Sequence, residues 1–391
     1  MKKFSWGPRT CAVALLLAAV VVDCAAQTLN TLHTFTGPDG SIPYASVLQA
    51  SDGNFCGTTS AGGANSSGTL FRMTPSGSFT TLHSFNQFIL NDGSEPVGWL
   101  IQARDGNLYG TTAHGGVGRQ GTIYRLTLDG SFRTIASFIY QLDGSNTQAG
   151  LFQTSNGIMY GDAPNGGIDG AGMVYEVTPF GQLTGIYSFG VDGISPVSGL
   201  VQASNGNLFG TTLMGGQFAC GTAFEITPSG SLMSVVEFGN RQTEGCFPYA
   251  SLVIGTDGNL YGTTSAGGAP QGFNAGIAFK ITPGGSFTII HVFDIADGAA
   301  PQGALLLASD GNFYGTTQSG GAHNAGTIFK MTPDGTVTTL YSFCSLSGCS
   351  DGKYPYAGLI EGRDGNLYGT TTAGGSANKG TLFNFSTGLR R

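Results

Sequence analysis

The eight residues DGNFCGTT that begin at Asp52 return six more times, and the period they set constrains the fold more than any other feature. The later copies begin at Asp105, Asn156, Asn205, Asp257, Asp310 and Asp364, so successive starts lie 53, 51, 49, 52, 53 and 54 residues apart. A period near fifty residues marks an array or propeller assembled from one supersecondary unit. Turn signals cut the first unit into four short runs, Ser46–Ala50, Phe55–Thr59, Thr69–Met73 and Phe79–Phe85. Asp-Gly separates the first two and Thr74-Pro-Ser-Gly77 the last two; Gly supplies the positive φ of a tight turn, and Pro presets φ at its second position. Side chains alternate within the runs, and nothing after residue 26 keeps a helical period.

The chain ends carry two incomplete units. Thr31–Phe35 matches the fourth run with no first three before it, and Thr381–Phe385 matches the third with no fourth after it. Together they complete one blade, which latches a ring and would serve no purpose in an open solenoid. The expected fold is therefore all-β, a seven-bladed β-propeller with four antiparallel strands per blade, closed by the N-terminal strand pairing with the C-terminal blade. An elongated β-solenoid is the alternative, though its coils are usually shorter than this period. With 66 glycines and only 10% charged residues, the composition suits blades packed on both faces.

Residues 1–26 read as an export signal: Lys2, Lys3 and Arg9 precede the apolar run Cys11–Val22, and Cys24-Ala-Ala26 gives a small-residue cleavage context. The propeller is expected over 27–391. The apolar run is too short to span a membrane, and Ser386–Arg391 is polar and basic, so a soluble secreted, periplasmic or extracellular protein is expected. A net charge of −7 argues against nucleic acid or an anionic membrane as partner. Export permits disulfides. Cys344 and Cys349 bracket a short loop, and Cys220 and Cys246 fall in loops that a propeller brings to one rim, so these are the expected pairs. Cys56 stands where other copies have Tyr or Phe and reads as a buried, unpaired strand residue. No cysteine has metal-ligand spacing, and no cofactor is expected.

The repeated DGNLYGTT…GG…GTIFKMTP sequence resembles the bacterial GloVer tandem-repeat family from Thr28 to about Ser386. The resemblance implies a secreted propeller-type protein with a cell-envelope or extracellular role, and it brings no catalytic residues with it. Members often carry a C-terminal surface anchor, which is not recognisable here. The third copy departs from the pattern, with Asp162-Ala163 for Thr-Thr and Thr147 for a recurring loop proline.

A propeller puts the second-to-third-strand loops and the blade-to-blade loops on one face, around the mouth of the central channel. Here those loops vary, whereas the turns of the opposite face are short and uniform, so a ligand is expected on the varied face. Its blade-to-blade loops carry Asp-Gly-x-x-Pro at Asp39, Asp92, Asp192, Asp297 and Asp351, with Asp143 and Glu244 as variants. A carboxylate ring invites Ca²⁺, but recurrence in nearly every blade fits a turn in which Asp accepts backbone N–H groups. His33, His83 and His291 share one fourth-strand position and read as sheet residues. His114, Arg119, Asp162, Arg241, Glu244 and His323 break the repeat or sit in varied loops, and supply the acid, base and cation types that a lyase or hydrolase needs. Phe88, Tyr140, Phe218, Phe247 and Tyr354 are the aromatic candidates for holding a glycan or peptide. Tyr44, Tyr249 and Tyr356, in the repeated Pro-Tyr-Ala, read as packing beneath the loops. The favoured reading is an exported, monomeric scaffold that binds an extracellular carbohydrate or protein. A cell-envelope lyase or hydrolase with its site at the channel mouth is the first alternative, and a structural surface protein the second.

Overall fold

The computed structural model describes residues 27–239, 244–268 and 274–387, so the expected export signal and Arg241 lie outside the described residues. Seven antiparallel sheets follow one another around a ring. In blade 1 the strands are Leu48–Gln49, Phe55–Thr59, Thr69–Met73 and Phe79–Ser84, paired in chain order. Blade 7 takes Ile360–Glu361, Leu367–Thr371 and Thr381–Phe385 from the C-terminal end and Leu29–Thr34 from the N-terminal end, with Leu29 opposite Phe385 and Thr34 opposite Thr381. The first strand is two residues long in every blade, shorter than the expected run Ser46–Ala50, and Ser46 donates its hydroxyl to the Gly358 carbonyl of the neighbouring blade at 2.9 Å.

Each conserved-looking element of the repeat has a structural task. The second-strand glycine lies under the third-strand ring of its own blade, and a Cβ on Gly315 would come within 2.5 Å of Phe329 Cζ. In the turn, Asp105 Oδ1 accepts the Asn107 N–H at 3.0 Å, and Oδ2 accepts the Asn107 amide at 2.8 Å and the Tyr109 hydroxyl at 2.7 Å. Burial raises the Asp105 carboxyl, but the Tyr109 and Asn107 donors outweigh it and hold it below the usual carboxylate range. The second threonine of each pair ties strand two to strand three, as in Thr112 Oγ1 to Thr122 Oγ1 at 2.8 Å. The first threonine reaches the next blade in blades 2 and 4 to 7, as in Thr316 Oγ1 to the Ala357 carbonyl at 2.8 Å, whereas Thr58 Oγ1 of blade 1 has no partner.

Apolar packing lies between blades. Ala50, Leu70 and Phe85 of blade 1 meet Leu100, Leu108 and Leu126 of blade 2 in one buried cluster, and six further clusters each join two neighbouring blades. Cys220–Cys246 joins a blade-4 loop to the loop entering blade 5, Cys344–Cys349 closes the loop entering blade 7, and Cys56 is buried and free. No helix among the described residues is long and apolar enough to cross a membrane.

Candidate binding site at the channel mouth

The residue before each loop proline, or before Thr147 in blade 3, adopts a left-handed backbone. Ile42, Glu95, Asn146, Ser195, Phe247, Ala300 and Tyr354 all have φ between 54° and 63°. The cause is a bond to each side: Glu95 donates its N–H to Ser67 O of the preceding blade at 2.9 Å, and its carbonyl accepts from Ala113 N of its own blade at 3.0 Å. Tyr354 does the same with Ala325 O and Thr372 N. A left-handed conformation costs an L-residue about 1–2 kcal/mol that glycine would avoid. At the other recurring left-handed position, in the second-to-third-strand loops, the chain uses Gly170 and the tolerant Asn274, Asn324 and Asn378, and also Ser66, Arg119 and Ala219. The mouth position never has glycine, and only Asn146 there is a tolerant type, so six side chains are held against backbone preference. Strain of this kind gathers at ligand-binding edges.

Inside this collar lies a cavity of about 280 Å³. Tyr44, Tyr249 and Tyr356 stand two residues further along their blades, and Gln148 and Gln302 take the same place in blades 3 and 6. The rings of Tyr44 and Tyr356 meet edge to face at 4.7 Å, and those of Tyr249 and Tyr356 at 6.5 Å. Burial raises the Tyr356 phenol well above its ordinary value, so it is a neutral donor at physiological pH. Gln302 gives its amide to Gln318 at 3.1 Å, and its buried Oε1 accepts nothing. Among the described residues the three phenols, the Gln148 amide and the Asn146 side chain have no hydrogen-bond partner in the protein. Two residues deeper is Trp99, at a position held in the other six blades by Ser46, Gly150, Gly199, Ser251, Ala304 and Gly358.

The tyrosines expected beneath the loops therefore line the channel, because a first strand at the inner edge of a blade turns alternate side chains into the central space. Their signal in the sequence was variation, to Val or Gln, inside an otherwise fixed Pro-x-x frame. The expected aromatic set is distributed differently. Phe88, Tyr140 and Phe218 are exposed in outer loops, Tyr354 and Phe247 belong to the collar, and none of the five lines the cavity. Phe247 is half-buried against the cluster between blades 4 and 5.

The expected catalytic set does not gather. Arg119 and His323 are exposed on loops of blades 2 and 6, and Glu244 is exposed beside blade 5. His114 sits at the rim, with Nε2 3.6 Å from Oε2 of Glu95, a collar residue that lines the cavity. Asp162, expected on the varied face, is instead buried in the second strand of blade 3, at 1% exposure. Where blades 2 and 4 to 7 have a threonine donating to the next blade, Asp162 Oδ2 accepts the Gly199 N–H at 2.8 Å, and Oδ1 has no partner. Burial pushes its carboxyl up to about 7, against the Gly199 bond that lowers it.

The loop aspartates do bond to backbone N–H groups, and each also clasps the fourth-strand residue behind it. Asp39 accepts from Thr36 N at 2.8 Å and contacts His33 Nε2 at 2.9 Å. Asp92 pairs with His83, Asp297 with His291, Asp192 with Tyr187 and Asp351 with Tyr341. Ala136 and Val236 replace the His or Tyr before Asp143 and Glu244, the two variant loops. His33 and His83 further stack on Phe79 and Phe132 of the next blade at 3.8 and 3.9 Å, so the His–Asp pairs are latches between blades. Among the described residues no three His, Cys, Asp or Glu side chains form a metal-binding group.

Solved structures share the architecture at low identity. The periplasmic gluconolactonase of Pseudomonas aeruginosa is 16% identical over 75% of this chain and 84% of its own, with a TM-score of 0.51. A puromycin hydrolase is 13% identical over 85% of this chain and 50% of its own, with a TM-score of 0.52. These similarities concern the fold alone. No curated protein sequence matches. The signature of the Gloeobacter/Verrucomicrobia repeat matches residues 19–205, 100–310 and 196–389. Those three stretches run through every blade described above, and the chain belongs to that repeat family.

Proposed function

We propose that this protein is an exported scaffold that binds an extracellular carbohydrate on its varied-loop face, at the mouth of the channel. The cavity of about 280 Å³ carries the reading: aromatic faces and neutral donors and acceptors without protein partners line it together. A sugar ring offers apolar C–H faces and a fringe of hydroxyls, which is the complement of such a lining. Export is supported by the apolar leader at Cys11–Val22 and by two disulfides on the varied face. The test is retention of the protein on immobilised polysaccharides, with the incubated glycans weighed by mass spectrometry. Retention without mass change, weakened by Tyr356→Ala, supports the reading. Retention on none of them removes carbohydrate from the case.

A second reading has one observation in its favour. His114 and Glu95 place an imidazole beside a carboxylate at the edge of the cavity, an acid–base pair suited to opening an ester, a lactone or a glycosidic bond. Glycan cleavage abolished by His114→Ala would replace the scaffold with an envelope hydrolase or lyase.

A further inference from the structure

Trp99 is a large residue in a tier otherwise built from small ones, and its neighbours are shaped around it. A Cβ on Gly150 would collide with the Nε1–Cδ1 edge of the indole, and one on Gly199 would lie 2.5 Å from Cη2. The indole from blade 2 thus lies against glycines of blades 3 and 4. An extended strand advances about 3.3 Å per residue, so the ring sits roughly 7 Å below the tyrosine tier. Ser46, Ser251, Ala304 and Gly358 line the cavity at this level, and no residue further along the first strands lines it. Among the described residues, the indole N–H has no acceptor in the protein.

We infer that Trp99 stops the channel, making it a blind pocket that takes the neutral terminal sugar ring of a glycan end-on. This deepens the carbohydrate reading and rests on it. The cavity has room for about nine waters at ~30 Å³ each, the size of one sugar ring with its hydroxyls. The indole offers a π face to the ring's C–H groups. The phenols of Tyr44, Tyr249 and Tyr356 and the Gln302 Oε1 surround the remaining hydroxyls. Among the described residues Glu95 is the only carboxylate, Lys or Arg lining the cavity, with the His114 imidazole beside it at the rim, so a sugar carboxylate entering the cavity meets a like charge. Neutral ends are therefore selected over uronic ones.

The chain has two tryptophans, Trp6 and Trp99, so in a Trp6→Phe background Trp99 alone reports on the pocket. That protein is titrated with neutral trisaccharides of glucose, mannose, galactose and N-acetylglucosamine, and with trigalacturonate, while retention on the same glycans bound to beads is measured in parallel. A saturable change in Trp99 emission with a neutral trisaccharide is expected, with trigalacturonate at least about tenfold weaker. Glu95→Gln should narrow that gap. Trp99→Gly, the residue type of blades 3, 4 and 7, should fold normally and weaken retention about tenfold. Retention unchanged by Trp99→Gly, with no change in emission, overturns the blind-pocket inference while carbohydrate binding stands. Equal affinity for trigalacturonate overturns the selectivity. Retention of no glycan by either readout overturns the carbohydrate reading and this inference with it.

Discussion

The two faces of the ring are built from the same repeat and differ in whether their polar groups are satisfied within the protein. On the short-turn face, Asp105, Asn107 and Tyr109 bond to one another inside a single blade, the same set recurs at Asp257 and Asp364, and turn N–H groups also cross to the next blade, as from Ser51 to Gln102 Oε1 at 2.8 Å and from Arg104 to Gln153 Oε1 at 2.9 Å. At the mouth, the collar N–H groups, Cys220–Cys246 and the threonine hydroxyls cross from one blade to the next, while among the described residues the phenols of Tyr44, Tyr249 and Tyr356 and the Gln148 amide have no partner in the protein. A face whose groups are saturated within the ring can repeat without change. The mouth must fix the spacing of seven blades and still leave groups free, and this is where the copies diverge.

The sharpest test of the contrast is Asp162, where the crossing bond rests on a buried carboxyl. Its folded value near 7 lies above the ordinary 3.8, so its contribution to stability is complete below about pH 3.8 and is lost as pH rises through 7. Asp162→Asn keeps an acceptor for the Gly199 N–H and removes the charge. It should stabilise the protein at pH 8 by at most about 4 kcal/mol and change little at pH 4, as read by denaturant unfolding at the two pH values. A gain that is the same at both would show that burial of the charge is not the cause.

Removing the covalent crossing with Cys220→Ser and Cys246→Ser should cost about 3.5 kcal/mol, from the 26-residue separation it closes. The five-residue Cys344–Cys349 loop should cost about 2 kcal/mol by the same reasoning. Equal losses in thermal melts would count against loop closure as the source. Within the short-turn face, Gly106→Ala forces a left-handed alanine into open space, for about 1–2 kcal/mol, with glycan retention unchanged. The smallest effect on stability belongs to the mouth. Ser195→Gly relieves left-handed strain and adds freedom to the unfolded chain, so the two should cancel to within about 0.5 kcal/mol. Its Tm should therefore barely move, and any change should appear in glycan binding.

Much of this architecture was legible in the sequence, because period, turn chemistry and end matching act locally. Phe55–Thr59, Thr69–Met73 and Thr381–Phe385 are strands with the expected bounds, both disulfides join the expected residues, and Cys56 is buried. The site was less legible. Asp162 looked like a variable polar residue because its burial is decided by blade 4 closing over it. The Pro-Tyr-Ala tyrosines looked like packing because repetition usually serves the fold, and only the closed ring turns them toward a shared space. Trp99 gave a local signal, a large ring among small residues, whose meaning depends on glycines about 50 and 100 positions away. The left-handed collar left no trace in composition, since glycine is absent from it.

The velcro-like closure of blade 7 also sets an order of events. Asn30 bonds to Asn384, 354 positions away, so the first strand made during synthesis is the last to find its sheet. Until Thr381–Phe385 emerges, Leu29–Thr34 is an unpaired β-edge with no native partner. A contact of such span makes ring closure a late and slow step of folding. A nascent chain can stack its middle blades early, yet the channel gains its full circumference only when the two ends of the polypeptide meet.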